Sequence, residues 1–242
     1  MKKTTSFMTL LSAAAMLFFV LAALPLISPA SAAVPETSSD VAARLQQYYR
    51  QIDSLSFSFI QSTRGQMIGR PKTGRGNGIF VRTGSGPKMR WNYSSPDRQV
   101  LISDGETISM YFEELKQMII APVDQAQADI LFSFFAGQAP LEDSFTILDS
   151  DPGQTEKSVD SPSDVSIIQL IPKNPDSQLA SINLYVSPDS LIRRVELVDH
   201  FDTRTTITIA DVSINPFQSQ TPEEINQLFV FTPPEGTEII RQ

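Results

Sequence analysis

His200 is the one histidine of the chain, and it stands directly after Asp199. An imidazole beside a carboxylate is what a Ser-His-Asp relay requires, and such relays are assembled in space rather than along the sequence. No Gly-x-Ser-x-Gly elbow accompanies it, so no catalytic residue is assigned and enzyme activity is not expected. Asp149, Asp151, Asp160 and Asp164 are oxygen ligands of the kind a hard cation takes. They lack calcium-loop spacing and lie in a Ser- and Pro-rich run, so a solvated loop is expected, with no metal and no cofactor. The chain also has no Gly-x-x-x-x-Gly-Lys-Ser/Thr phosphate loop, so it carries no nucleotide-driven energy source of its own.

What remains is apolar chemistry, and it is concentrated between Met89 and Tyr111. Met89, Trp91 and Tyr93 share one face of a period-two strand, Val100 and Ile102 alternate on the next, and Ile108 and Met110 continue on a third. Asp104-Gly105 supplies the turn between the last two. Such a surface is either ordinary core or a site for a greasy ligand, and periodicity alone leaves both readings open.

The surrounding pattern says what must position it. Ser38-Ser39-Asp40 offers N-cap chemistry ahead of Val41, Leu45, Tyr48 and Ile52, which fall on one helical face. Leu55, Phe57 and Phe59 then alternate with serines as a strand. A Gly-rich, basic connection over Gly65–Gly76 leads to a strand near Ile79–Arg82 that includes Phe80. A further strand is expected at Gln117–Pro122, with Met118 in it. Over Asp124–Ala136 the spacing becomes helical, with Leu131, Phe132 and Phe135 on one face and Gly137 as a stop. Alternating runs follow at 165–171, 179–186, 191–198 and 205–209. A helical turn at Pro222 precedes a strand over Phe229–Phe231, and Pro233-Pro234-Glu235-Gly236 ends the fold proper. Ten or eleven short strands with two or three short helices, without βαβ alternation, predict a curved antiparallel sheet in one domain.

The N-terminus and the composition bound the setting. Lys2 and Lys3 precede an apolar run from Phe7 to Ile27 and an Ala30-Ser31-Ala32 site, the pattern of a cleaved export signal over 1–32, leaving a mature domain of 33–242. Without those two lysines, 17 basic residues face 27 acidic ones, a net charge of −10. That balance argues against nucleic acid. An exported chain without cysteine has no disulfides and rests on an ordinary core.

At this point a resemblance enters. Phe59-Ile60-Gln61, Gly76, Trp91, Pro96, Leu101-Ile102-Ser103-Asp104-Gly105, Thr107, Tyr111, Leu170-Ile171-Pro172 and Phe229 to Gly236 together resemble the periplasmic outer-membrane lipoprotein carrier family, LolA. The resemblance covers the mature chain. It implies an incomplete, half-open antiparallel β-barrel with short α-helices forming a lid over an apolar cavity. It implies a soluble periplasmic chaperone, expected to be a monomer, that binds lipoprotein acyl chains. Its partners are an ATP-driven inner-membrane lipoprotein transporter and an outer-membrane lipoprotein receptor. The cavity and lid residues are then Leu55, Phe57, Phe59, Phe80, Met89, Trp91, Ile108, Met110, Met118, Leu131, Phe132 and Phe135. The family also ties its lid to the sheet through an Arg six residues after the glycine that opens the second strand. Counting from Gly76 that position is Arg82, with Thr83 where the family has Pro; counting from Gly78 it is Gly84. The same fold also fits an envelope module that binds or senses lipid or glycolipid, and a pocket of this kind does not choose between them.

Overall fold

The computed structural model describes residues 36–65, 68–84, 86–104, 106–122, 140–149, 165–175 and 177–242. The order of elements is α1 (Ser38–Arg50), β1 (Ser54–Gly65), β2 (Ile68–Thr83), β3 (Gly86–Ser95), β4 (Gln99–Ser103), β5 (Thr107–Phe112) and β6 (Gln117–Pro122). Then come α2 (Leu141–Ser144), β7 (Phe145–Asp149), β8 (Ser166–Pro172), β9 (Leu179–Val186), β10 (Ile192–Asp199), β11 (Arg204–Ile214), α3 (Pro222–Leu228) and β12 (Glu238–Arg241). The twelve strands form one open sheet in the order β12-β6-β5-β4-β3-β2-β1-β11-β10-β9-β8-β7, the incomplete barrel expected. Neighbours are antiparallel except β12, which runs parallel to β6.

α1 begins where its cap chemistry places it, although the cap is Thr37 rather than Ser38 or Ser39. The Thr37 hydroxyl accepts from the Asp40 backbone N–H, and the Asp40 carboxylate accepts from the Thr37 backbone N–H, a reciprocal capping box. The Thr37 hydroxyl also donates to the Asp40 carboxylate at 2.7 Å, and this bond first, then the one from the Thr37 backbone N–H, holds the Asp40 carboxyl below its ordinary range. The helix buries Val41, Ala42, Leu45 and Tyr49; Tyr49, not Tyr48, takes the inward position. Its ring is buried and its hydroxyl accepts from the Ile192 N–H at 3.2 Å.

Register divides the side chains into two faces. Residues directly opposite in an antiparallel pair share a face. Phe59 pairs with Ile209, Val195 with Ile207 and Leu184, and Ile168 with Leu184. These residues are all 7% exposed or less, and α1 lies against β7 and β8 on that side, which we term the first face. Each fully buried aliphatic side chain there contributes about 2 kcal/mol of transfer free energy, so this half is a conventional dry core.

The second face is sealed elsewhere along the sheet. Val81, Val100, Ile102, Tyr111 and Met118 pack with Phe229, joined by Phe217, Ile225, Leu228 and Phe231. Arg90 holds this cover in place by donating to the carbonyl oxygens of Leu228 at 2.6 Å and Val230 at 3.4 Å, and Lys88 donates to Asn226 at 3.0 Å.

Four expectations change. The segment Phe229–Phe231 is not a strand: Phe229 closes α3, donating to the carbonyls of Asn226 and Gln227, and its side chain packs on the sheet. Gly236, at φ +81°, turns the chain onward, so the prolines do not end the fold and β12 pairs with β6. Of the Gly-rich connection, residues 68–76 are strand, because β1 and β2 pair from Ser54–Val81 out to Thr63–Lys72. β7 adds a twelfth strand after the short α2.

Candidate functional site

The remaining half of the first face is a wall assembled by register. Leu55 pairs with Phe80, and Phe80 with Met89; Phe57 lies opposite Gly78, and Gly78 opposite Trp91. Trp91 pairs with Leu101, Leu101 with Met110, and Met110 with Ile119; Met89 leads through Ser103 to Ile108. Eight of the residues expected to line a cavity therefore share one face: Leu55, Phe57, Phe59, Phe80, Met89, Trp91, Ile108 and Met110. Met118 does not. It pairs with Tyr111 on the second face, beneath the 217–231 segment, where Val100 and Ile102 also pack. Leu131, Phe132 and Phe135 lie outside the described residues. Sequence reasoning missed Leu101 and Ile119, because β4 and β6 are apolar on both faces and only pairing to Met110 distinguishes them.

The centre of the wall is a run of edge-to-face rings. Phe57 stands 5.2 Å from Trp91, Trp91 stands 4.7 Å from Phe59, and Phe59 stands 4.8 Å from Tyr93, centroid to centroid. Such pairs add about 1 kcal/mol each beyond area burial, so the rings hold one another in place. Two glycines make this possible. A Cβ at Gly78 would enter the ring of Phe57, and one at Gly76 would meet the Asn92 carbonyl oxygen and approach the ring of Phe59 at 3.0 Å. Aromatic rings therefore cover the glycines of β2.

The wall carries little polarity. The Trp91 indole N–H donates to the Met89 sulfur, a weak acceptor, at 2.8 Å. Tyr93 donates to the Gln61 side-chain oxygen at 2.7 Å, and burial raises its phenol above the ordinary range. This pair marks where the apolar wall meets a polar end. Burial also grades across it: Phe59 and Phe80 are 2% and 1% exposed, whereas Trp91, Leu101, Ile108, Met110 and Ile119 are only half-buried.

Two cavities open at that polar end. One, of about 750 Å³, is bounded by Gln61, Thr63, Lys72, Gly74 and Tyr93. The other, of about 530 Å³, is bounded by Leu179, Leu197, His200, Phe201 and Thr205. Thr63, which borders the first, pairs on one side with Lys72 and on the other with Thr205, which borders the second.

Arg82 sits at the opposite end of β2. Its guanidinium donates to the Tyr49 carbonyl oxygen at 3.3 Å, and its backbone N–H donates to the Asp53 carbonyl at 2.7 Å. A cation at the last turn of α1 is favoured by the helix dipole, so Arg82 joins the helix to the sheet. His200 is exposed, and its Nε2 lies 3.0 Å from the Ser177 backbone oxygen. The Asp199 carboxylate accepts from the Phe201 and Thr203 backbone N–H groups instead of from the imidazole. Asp149 accepts from the Ser38 hydroxyl, and among the described residues no group of carboxylates or histidines could hold a metal ion. Asp151, Asp160 and Asp164 lie outside them. Among the described residues no helix is long and apolar enough to cross a membrane.

Residues 50–221 match the family model described as outer membrane lipoprotein carrier protein LolA. An outer-membrane lipoprotein carrier protein of Nitrosomonas europaea is 32% identical over 167 residues, 69% of this chain and 72% of that protein. Its counterpart in Cupriavidus pinatubonensis is 28% identical over 213 residues, 88% of this chain and 92% of that protein. A crystal structure of a LolA superfamily protein from Nitrosomonas europaea aligns with 81% of this chain and 98% of its own at 11% identity and a TM-score of 0.41. With the family model spanning most of the chain and an open sheet that carries an apolar wall, the protein belongs to the outer-membrane lipoprotein carrier family.

Proposed function

We propose that this protein carries lipoproteins through the periplasm by holding their acyl chains against the Phe57–Trp91–Met110 wall. The observation that supports this most is the asymmetry of β3–β6. Their second face is packed beneath residues 217–231, while on the first face Trp91, Leu101, Ile108, Met110 and Ile119 are only half-buried. An acyl chain on that wall gains about 0.8 kcal/mol for each methylene removed from water, so even partial burial of one chain retains cargo.

The same arithmetic sets a direction. Tails leaving a bilayer are already in hydrocarbon, so extraction gains little from burial and energy must come from an ATP-driven transporter in the inner membrane. Delivery then requires a receptor at the outer membrane that binds the chains more tightly. Export fits residues 1–32 as a signal removed near Ala32, and the carrier acts as a monomer. Arg82 serves as the latch between α1 and the sheet. Leu131, Phe132 and Phe135, which lie outside the described residues, are proposed as further acyl-chain contacts.

Mass spectrometry of ligands extracted from the natively purified protein tests the reading. Di- or triacylated lipopeptide is expected. Free glycolipid as the sole ligand, or equal binding of lipidated and non-lipidated cargo, would overturn it.

A further inference from the structure

The overall acidity conceals a segment of opposite sign. Between Asp53 and Asp97 there is no Asp or Glu, while Arg64, Arg70, Lys72, Arg75, Arg82, Lys88 and Arg90 supply seven positive charges to a chain of net charge −8. Arg82 meets the end of α1, and Lys88 and Arg90 hold α3. The other four, Arg64, Arg70, Lys72 and Arg75, are exposed on the arms of the β1–β2 hairpin.

Beside this hairpin lies the β10–β11 turn. Arg64 pairs with Arg204, and a Cβ on Gly65 would lie 3.1 Å from the Thr203 hydroxyl. The turn is held by two bonds to Asp199, at 2.8 Å from Phe201 N–H and 2.7 Å from Thr203 N–H, and by Asp202 at φ +59°. It presents Phe201, 75% exposed, among the most exposed large apolar side chains described. Among the described residues the acidic groups at this end are Asp97, Asp199, Asp202 and the buried Glu196; Arg204 lies 2.9 Å from Glu196 and 3.8 Å from Asp202, and Asp199 is occupied by the turn. A cationic hairpin, an apolar side chain held out beside it and two cavities therefore share one end of the sheet.

We propose that this end docks on a lipid surface bearing anionic headgroups, with Arg64, Arg70 and Arg75 meeting phosphates and Phe201 entering the interface, so that the cavities open toward the bilayer. The inference rests on the carrier reading for its purpose, though not for its physics. A basic cluster with an aromatic anchor is attracted by anionic headgroups and by the interfacial apolar layer together. Net charge elsewhere opposes this, which makes the attachment weak, reversible and sensitive to salt.

The test uses the natively processed protein and its Arg64→Gln/Arg70→Gln/Arg75→Gln variant, all three positions exposed. Partition is measured onto vesicles of phosphatidylethanolamine with phosphatidylglycerol and onto phosphatidylcholine vesicles. The native protein is expected to prefer anionic vesicles and to be released by added salt. Each lost cation weakens partition about 5-fold, on the order of 100-fold for three, and Phe201→Ser weakens it about 10-fold. Equal partition of native and triple-variant protein onto anionic vesicles, or no binding by the native protein, would overturn the proposal. So would capture of short duplex DNA as strongly as anionic vesicles, which would mark a general polyanion site. Lipopeptide binding without vesicles is measured in parallel: its retention in the triple variant with vesicle binding lost supports the proposal. Its absence in the native protein sinks the carrier reading while leaving the vesicle result to stand.

Discussion

The two halves of the sheet use the same residue types for opposite ends. Across β7–β11 the first face is closed by α1, and Leu45, Ile168 and Val186 are entirely buried. Across β3–β6 the closure moves to the other side: residues 217–231 seal the second face, and Trp91, Leu101 and Met110 on the first remain half-buried. Apolar content does not distinguish a core from a binding wall; which face the chain's own elements cover does. Packing from behind lets β3–β6 present a rigid apolar surface without collapsing it into a core.

That contrast breaks most sharply under substitution. Leu45→Ala, in the closed half, is expected to lower the unfolding free energy by about 3 kcal/mol in equilibrium denaturation. Phe231→Ala, which removes the ring 5.0 Å from Tyr111 behind the wall, is expected to cost about 2 kcal/mol and to weaken cargo binding indirectly. A loss as large from Met110→Ala would mean that the wall is core after all. Arg82→Leu removes a charged donor from the end of α1, a loss of about 1.5 kcal/mol read as faster amide exchange at residues 49–52 and altered cargo release. Unchanged exchange and release would reduce Arg82 to a surface charge. Met110→Ser on the open wall is expected to change stability by less than about 1 kcal/mol while weakening lipopeptide affinity roughly 10-fold.

The smallest effect is one of pH. Partial burial of Asp104 opposes ionisation, but the backbone N–H groups of Thr107 and Glu106 outweigh it and hold the carboxyl below its ordinary range. Its contribution to the β4–β5 turn is present above the unfolded carboxyl pKa of about 3.9 and is lost as pH falls through the lower folded value. Exchange at Thr107 should therefore accelerate only in acid. Acceleration on going from neutral to alkaline pH beyond the intrinsic rate would contradict the assignment.

Much of this was legible in the sequence where only one face is apolar. Leu55, Phe57 and Phe59 alternate with serines, so their face follows from period two, and β6 and β9 begin and end where the pattern places them. It failed where both faces are apolar. Val100-Leu101-Ile102 and Met118-Ile119-Ile120 are continuous apolar runs, and a run of that kind does not say which member faces the wall. Only the pairing of Met110 with Ile119 does, and that depends on the length of the 113–116 turn. The C-terminus misled for a related reason: Phe229 and Phe231 have strand-like spacing, but Thr221 and Glu224 cap a helix whose end delivers those rings to the sheet. The glycines of β2 read as a loop until the rings of Phe57 and Phe59 account for them.

Trp91 is the single tryptophan of the chain and stands at the centre of the wall, so its fluorescence reports that surface alone. The most direct measurement is titration of the natively processed protein with a lipopeptide whose acyl chains carry bromine, beside the same peptide without chains. Saturable quenching of Trp91 by the brominated lipopeptide, and none by the bare peptide, is the predicted result. Tight binding of the brominated lipopeptide with Trp91 emission unquenched would place the acyl chains elsewhere and contradict the account.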